Sequence, residues 1–125
     1  MTNTHPILIV DDDEDLRDVI ALAVGAMGYP VETARDGVEA MHYLTKEGLR
    51  PALILLDMMM PRMDGEAVLT ALHHDSSLAN IPVVLLSGHT AAQQKAHELH
   101  AHGCLAKPIE LDALTSTVER FAGHA

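Results

Sequence analysis

Four short aliphatic runs in this chain each stop at polar residues that could do chemistry. Asp11 and Asp12 follow "ILIV" at 7–10, Asp57 follows "LILL" at 53–56, Ser87 follows "VVLL" at 83–86, and Lys107 follows "CLA" at 104–106. A lone carboxylate is costly to bury, so an acid at the end of a core-like run marks a rim where packing gives way to a polar site. If Asp11, Asp12 and Asp57 converge, their mutual repulsion calls for a counter-charge. A hard divalent cation supplies one, and Mg²⁺ typically takes one or two carboxylates together with water or phosphate oxygens. With a lysine and a hydroxyl beside it, such a set suits transfer of a phosphoryl group onto one carboxylate. The cations would neutralise the transferring oxygens and the hydroxyl would hold one of them.

For this to happen the rim residues must come from parallel strands. The aliphatic runs are continuous instead of alternating, which implies burial on both faces. Two weaker strands are expected at "VETA" 31–34 and at 104–106. Amphipathic spacing lies between the strands. Leu16, Val19, Ile20, Ala23 and Val24 mark one helix, ending near Gly25 and Gly28. Val38, Met41, His42 and Leu44 mark a second, after the turn "RDG" and before Gly48. Ala67, Val68, Ala71 and Leu72 mark a third. Residues 91–102 suggest a fourth, closed by Gly103, and Leu111, Leu114, Val118 and Phe121 a fifth. Strand and helix alternate throughout, with connections long enough for helical crossovers. The expected fold class is α/β: a doubly wound, five-stranded parallel sheet of flavodoxin-like (βα)5 type, one domain over 1–125. A strand order of 2-1-3-4-5 puts strands 1 and 3 side by side at the switch point, where such sheets bind ligands.

The chain has 125 residues, the length of one domain, and 48% of them are hydrophobic. It contains no Trp, two Tyr and one Phe, so the core must be aliphatic. A net charge of -10 disfavours direct contact with nucleic acid and favours a cation or a basic partner. One cysteine excludes an intrachain disulfide and fits a reducing compartment. No apolar stretch is long enough to span a membrane, and the first residues show no signal peptide. A cytoplasmic location is expected.

Taken together, "ILIVDDDEDLR" at 7–17, "LILLDMMMPRMDG" at 53–65, "VVLLSG" at 83–88 and "CLAKP" at 104–108 resemble the receiver domain of two-component response regulators. The resemblance runs over essentially the whole chain. It implies that Asp57 is the phosphoacceptor, attacking a phosphohistidine on a sensor histidine kinase or a histidine phosphotransfer protein. It implies Mg²⁺ held by Asp11, Asp12, Asp57 and the main-chain carbonyl of Met59. Ser87 would contact the phosphoryl oxygens, Lys107 would pair with the acceptor, and the Lys107–Pro108 peptide would be cis. It further implies an output partner and pairing of two copies on phosphorylation. Chemistry would be limited to the protein's own phosphorylation and dephosphorylation, so it would not be an enzyme acting on other substrates. Met59 and His89 match positions that tune the lifetime of the phosphorylated state. The resemblance breaks at Cys104, where such domains often carry an aromatic switch residue. No output module is expected, because the chain runs only about one helix past Lys107.

Plainer readings compete for several of these residues. Asp13, Glu14 and Asp15 suit a helix start, and Asp64-Gly65 a turn and cap. Met58, Met59 and Met60 suit loop packing, and Cys104 a small core residue. His97 and His100 lie one helical turn apart, with His102 and His89 in reach, but a solvated face is preferred over a metal site. Two other functions remain as alternatives. One is a receiver-like scaffold that never takes phosphate. The other is a small phosphatase with an aspartyl nucleophile, disfavoured because the position two residues after Asp57 is Met59, not an acid.

Overall fold

The computed structural model describes residues 5–88 and 96–123. Five strands, β1 (Ile7–Val10), β2 (Val31–Ala34), β3 (Leu53–Asp57), β4 (Val83–Ser87) and β5 (Gly103–Ala106), form one sheet in the order β2-β1-β3-β4-β5. Every pairing is parallel. Val10 lies opposite Ala34 and Leu56, Asp57 opposite Leu86, and Ser87 opposite Ala106, so the carboxyl ends form one rim. The order reverses at β1, between β2 and β3, as the alternation of strands and helices predicts.

The continuous apolar runs follow from the layering. Leu8, Val10, Ile54, Leu56, Val83 and Leu85 face one side, against Ala40 and Leu44 of α2 (Gly37–Thr45) and Val68, Leu69 and Leu72 of α3 (Gly65–His73). Ile7, Ile9, Leu53, Leu55, Val84 and Leu86 face the other, against Ile20 and Val24 of α1 (Glu14–Ala26) and Leu114 and Val118 of α4 (Leu111–Ala122). Both faces of β1, β3 and β4 are sealed, so polar residues enter these strands only at their carboxyl ends, as Asp57 and Ser87 do. Each fully buried aliphatic side chain contributes about 1.5–3 kcal/mol. Among the described residues no helix is long and apolar enough to cross a membrane.

Three helices open on an aspartate at the rim. The side chains of Asp13, Asp36 and Asp64 accept the N–H of Leu16 at 3.2 Å, Glu39 at 2.9 Å and Ala67 at 2.9 Å, capping α1, α2 and α3. A cap of this kind is worth about 1 kcal/mol. The cap reading of Asp13 and Asp64 therefore holds.

Asp57 and Ser87 end β3 and β4, as expected. One expectation is corrected. Gly103 opens β5 and does not close a helix. Of the expected fourth helix, residues 91–95 lie outside the described residues; 96–98 are helical and 99–100 form a turn. His100 takes the left-handed conformation, φ 59°, and Ala101 N–H bonds back to the Ala96 carbonyl at 2.9 Å, which ends the helix. His102 N–H then donates to the Val83 carbonyl at 2.8 Å, so pairing with β4 has already begun.

Candidate functional site

The site grows from the rim between β1, β3 and β4. Asp11 leaves β1 but keeps its N–H on the Ala34 carbonyl at 3.1 Å, which holds it in line with the sheet. The Arg17 guanidinium of α1 donates to its carbonyl at 2.9 Å. The side chain is fully buried: Oδ1 accepts the Asp13 N–H at 2.9 Å, whereas Oδ2 makes no hydrogen bond. Asp57, also buried, accepts the Met59 N–H on Oδ1 at 3.3 Å. Lys107 is carried to the rim by its own N–H, which donates to the Ser87 carbonyl at 2.9 Å. Its ammonium lies 3.3 Å from Asp11 Oδ2 and 3.2 Å from Asp57 Oδ1. The Lys107–Pro108 peptide is cis.

One carboxylate oxygen each from Asp11, Asp12 and Asp57 lie within 4.8 Å of one another. Among the described residues this is the one group of three or more His, Cys, Asp or Glu with such ligand spacing. Three carboxylates facing one ammonium leave an excess of two negative charges, the charge of one divalent ion. The buried, unbonded Asp11 Oδ2 is the atom most in need of it. An all-oxygen donor set with an exposed Asp12 at its edge fits a hard cation that keeps some water.

The electrostatics show the strain. Burial, then the charge of Asp11, pushes the Asp57 carboxyl up to about 6; the Met59 N–H and Lys107 pull it back only in part. For Lys107 burial works against the charge, yet the attraction of Asp57 and Asp11 outweighs it and raises the ammonium above its usual range.

Ser87 is buried at the end of β4, beside Asp57 in the sheet. Met59 projects its side chain outward, 66% exposed, while Met58 and Met60 pack against the core, as loop packing requires. His89 lies outside the described residues. His97, His100 and His102 form no metal-ligand group; the rings of His100 and His73 meet edge to face at 6.3 Å. Cys104 is half-buried against the core, and burial raises its thiol.

Two features of the loop after Asp57 escape a reading by sequence. Gly65, at the start of α3, donates its N–H to the Met58 carbonyl at 3.2 Å, and a Cβ there would sit 2.7 Å from the Asp57 carbonyl oxygen. The glycine thus serves close approach of α3 to the acceptor's backbone as well as a turn. Gly65→Ala is expected to lower stability by about 1–3 kcal/mol through this overlap, read by urea denaturation; an unchanged midpoint would mean the loop yields freely. The second feature is an ion pair between an exposed arginine and a buried aspartate. Arg62 reaches Asp36 Oδ2 with Nε at 2.8 Å and Nη2 at 2.7 Å. Burial pushes Asp36 up, but the Glu39 N–H and the Arg62 guanidinium outweigh it and hold the carboxyl below its ordinary value. The repeated Asp-Gly at 36–37 and 64–65 is the signal that could have drawn attention to both positions.

Known proteins resemble this chain in sequence and fold. A family model described as the response regulator receiver domain matches residues 7–119. The sensor histidine kinase RcsC of Salmonella typhi is 35% identical over 93% of this chain, which spans 12% of that protein. The DNA-binding regulator RpaA of Synechocystis is 33% identical over 90% of the chain, spanning 46% of its own length. Among solved structures, chemotaxis protein CheY4 of Vibrio cholerae superposes with a TM-score of 0.85 at 30% identity, covering 95% of this chain and 99% of that one. The receiver domain of NtrX from Brucella abortus gives 0.83 at 30% identity, covering 95% and 99%.

Proposed function

Because the chain belongs to the response regulator receiver domain family, we propose that it is a phosphorylation-dependent signalling switch of a two-component system. Asp57 is the phosphoacceptor in this reading. One of its carboxylate oxygens attacks the phosphorus of a phosphohistidine on a sensor histidine kinase or a phosphotransfer protein. The P–N bond breaks, the imidazole leaves, and an acyl phosphate forms on Asp57. Asp11, Asp12, Asp57 and the Met59 carbonyl would hold Mg²⁺, which when bound neutralises the phosphoryl oxygens. The Lys107 ammonium, already 3.2 Å from Asp57 Oδ1, offsets charge at the acceptor, and the Ser87 hydroxyl binds a phosphoryl oxygen. The new dianion, carried on Asp57, then competes with Asp11 for Lys107, which alters the rim and with it the affinity for an output protein.

The observation that carries this reading is the convergence of the Asp11, Asp12 and Asp57 oxygens on one spot, with Lys107 shared by Asp11 and Asp57. Incubation with acetyl phosphate and Mg²⁺ should add a single phosphoryl group, about 80 Da by intact mass. The adduct should vanish in Asp57→Asn and in the presence of EDTA. An adduct that survives either treatment would sink the assignment.

A further inference from the structure

The loop between Asp57 and α3 is held in an unusual shape. Met63 N–H donates to the Pro61 carbonyl at 2.8 Å, closing a three-residue turn centred on Arg62. Arg62 takes φ 68° there, a left-handed conformation that costs energy in any residue with a side chain. Two contacts on α2 hold the turn in place. The Arg62 guanidinium binds buried Asp36, the residue that caps α2, and the Met63 carbonyl accepts the Gly37 N–H at 3.1 Å. Gly37 can approach only because it lacks a side chain: a Cβ would collide with the Met63 carbonyl oxygen. The neighbouring Arg35 is turned to Glu39 at 3.6 Å, so Arg62 is the guanidinium bonded to Asp36.

The other end of the same loop is fixed to the site. Met58 N–H bonds the Leu86 carbonyl at 3.1 Å, Met59 N–H bonds Asp57 Oδ1, and Gly65 N–H bonds the Met58 carbonyl. Between these anchors lies the main chain of Met59 to Pro61. A strained turn one residue from the proline, locked to a buried carboxylate on another helix, sets where that main chain runs.

We propose that Arg62 and Asp36 act as positioning residues for the cation site: their ion pair clamps the loop after Asp57 onto α2 and thereby fixes the main chain of Met59. This rests on the reading of Asp11, Asp12, Asp57 and Met59 as the Mg²⁺ site. A long side chain in a left-handed turn is thus retained for its guanidinium, where glycine alone would satisfy the backbone.

The test uses Arg62→Gly, which keeps the turn, Asp36→Asn, which keeps the α2 cap, their double variant and Arg62→Lys. Two quantities are read in unphosphorylated protein: exchange of the Gly65 amide without metal, and Mg²⁺ affinity by calorimetry. Each single change should speed Gly65 exchange and weaken Mg²⁺ binding about threefold to tenfold, because only part of the ion pair's energy is passed on to the metal site. The double variant should be no worse than the weaker single, and Arg62→Lys should recover part of the loss. Wild-type exchange and affinity in Arg62→Gly would overturn the proposal. So would losses that multiply in the double variant, or faster exchange with unchanged affinity. If the wild-type protein binds no Mg²⁺, the metal reading itself fails, and the metal-free exchange rates still decide whether the clamp exists.

Discussion

Asp57→Asn is expected to make the metal-free protein more stable, by about 2–3 kcal/mol near neutral pH. The sign follows from linkage. Burial and the nearby Asp11 raise the folded-state Asp57 carboxyl to about 6, against an ordinary value of 3.8. Between those values the folded protein holds a proton that the unfolded chain has released, so stability falls as pH rises. Above the folded value the cost is complete and constant; below about pH 4 it is absent. The neutral amide escapes it, so the advantage of the variant should grow from pH 4 to 6 and then level off. Mg²⁺ should reverse the ranking, since an ion held by the wild-type carboxylates stabilises the folded state by mass action and the variant lacks one ligand. Urea denaturation across this range, with and without Mg²⁺, measures both effects. A variant less stable than wild type at neutral pH without metal would contradict the electrostatic picture of the site.

Lys107→Ala should do the opposite. It strips the shared cation from two buried carboxylates, and breaking a buried pair leaves an uncompensated charge worth about 3–5 kcal/mol. Two features trim that figure to about 2–3 kcal/mol here: Lys107 keeps 26% of its side chain in solvent, and Asp57 can relieve the site by taking up a proton. The loss should therefore be largest above pH 6 and shrink in acid, and saturating Mg²⁺ should restore much of it. In the wild type the raised ammonium keeps its contribution up to the ordinary lysine value of 10.5 and loses it only as pH climbs through the higher folded value. Equal denaturation midpoints for Lys107→Ala and wild type at neutral pH, without metal, would show that the ammonium does not balance these acids.

The sheet was readable because its cause is simple. Strands sealed on both faces must be apolar until they reach the rim, so "ILIV", "LILL" and "VVLL" announce β1, β3 and β4, and the polar residues at their ends announce the rim. Spacing also separated Asp13, a cap, from Asp11 and Asp12, whose oxygens gather with Asp57. The end of the helix before β5 was misjudged for an equally physical reason. Gly103 looks like a helix stop, but His100 takes the left-handed turn that glycine usually supplies, and Gly103 goes to the strand. The Arg62–Asp36 pair was invisible for another. Its partners are 26 residues apart and meet only because Arg62 adopts a positive φ, which nothing in the letters "PRMDG" announces. Gly65 was half legible: Asp-Gly signals a turn whether or not a neighbouring backbone presses against the glycine.

The sheet order gives Lys107 and Asp57 unequal mechanical standing. Asp57 ends an interior strand, braced by a neighbour on either side; Lys107 follows β5, which borders on β4 alone. A tug between the two is resisted by two ladders at one end and by a single ladder at the other. Whatever force arises at the centre will be taken up as displacement of the margin, much as a rope between a post and a gate moves the gate.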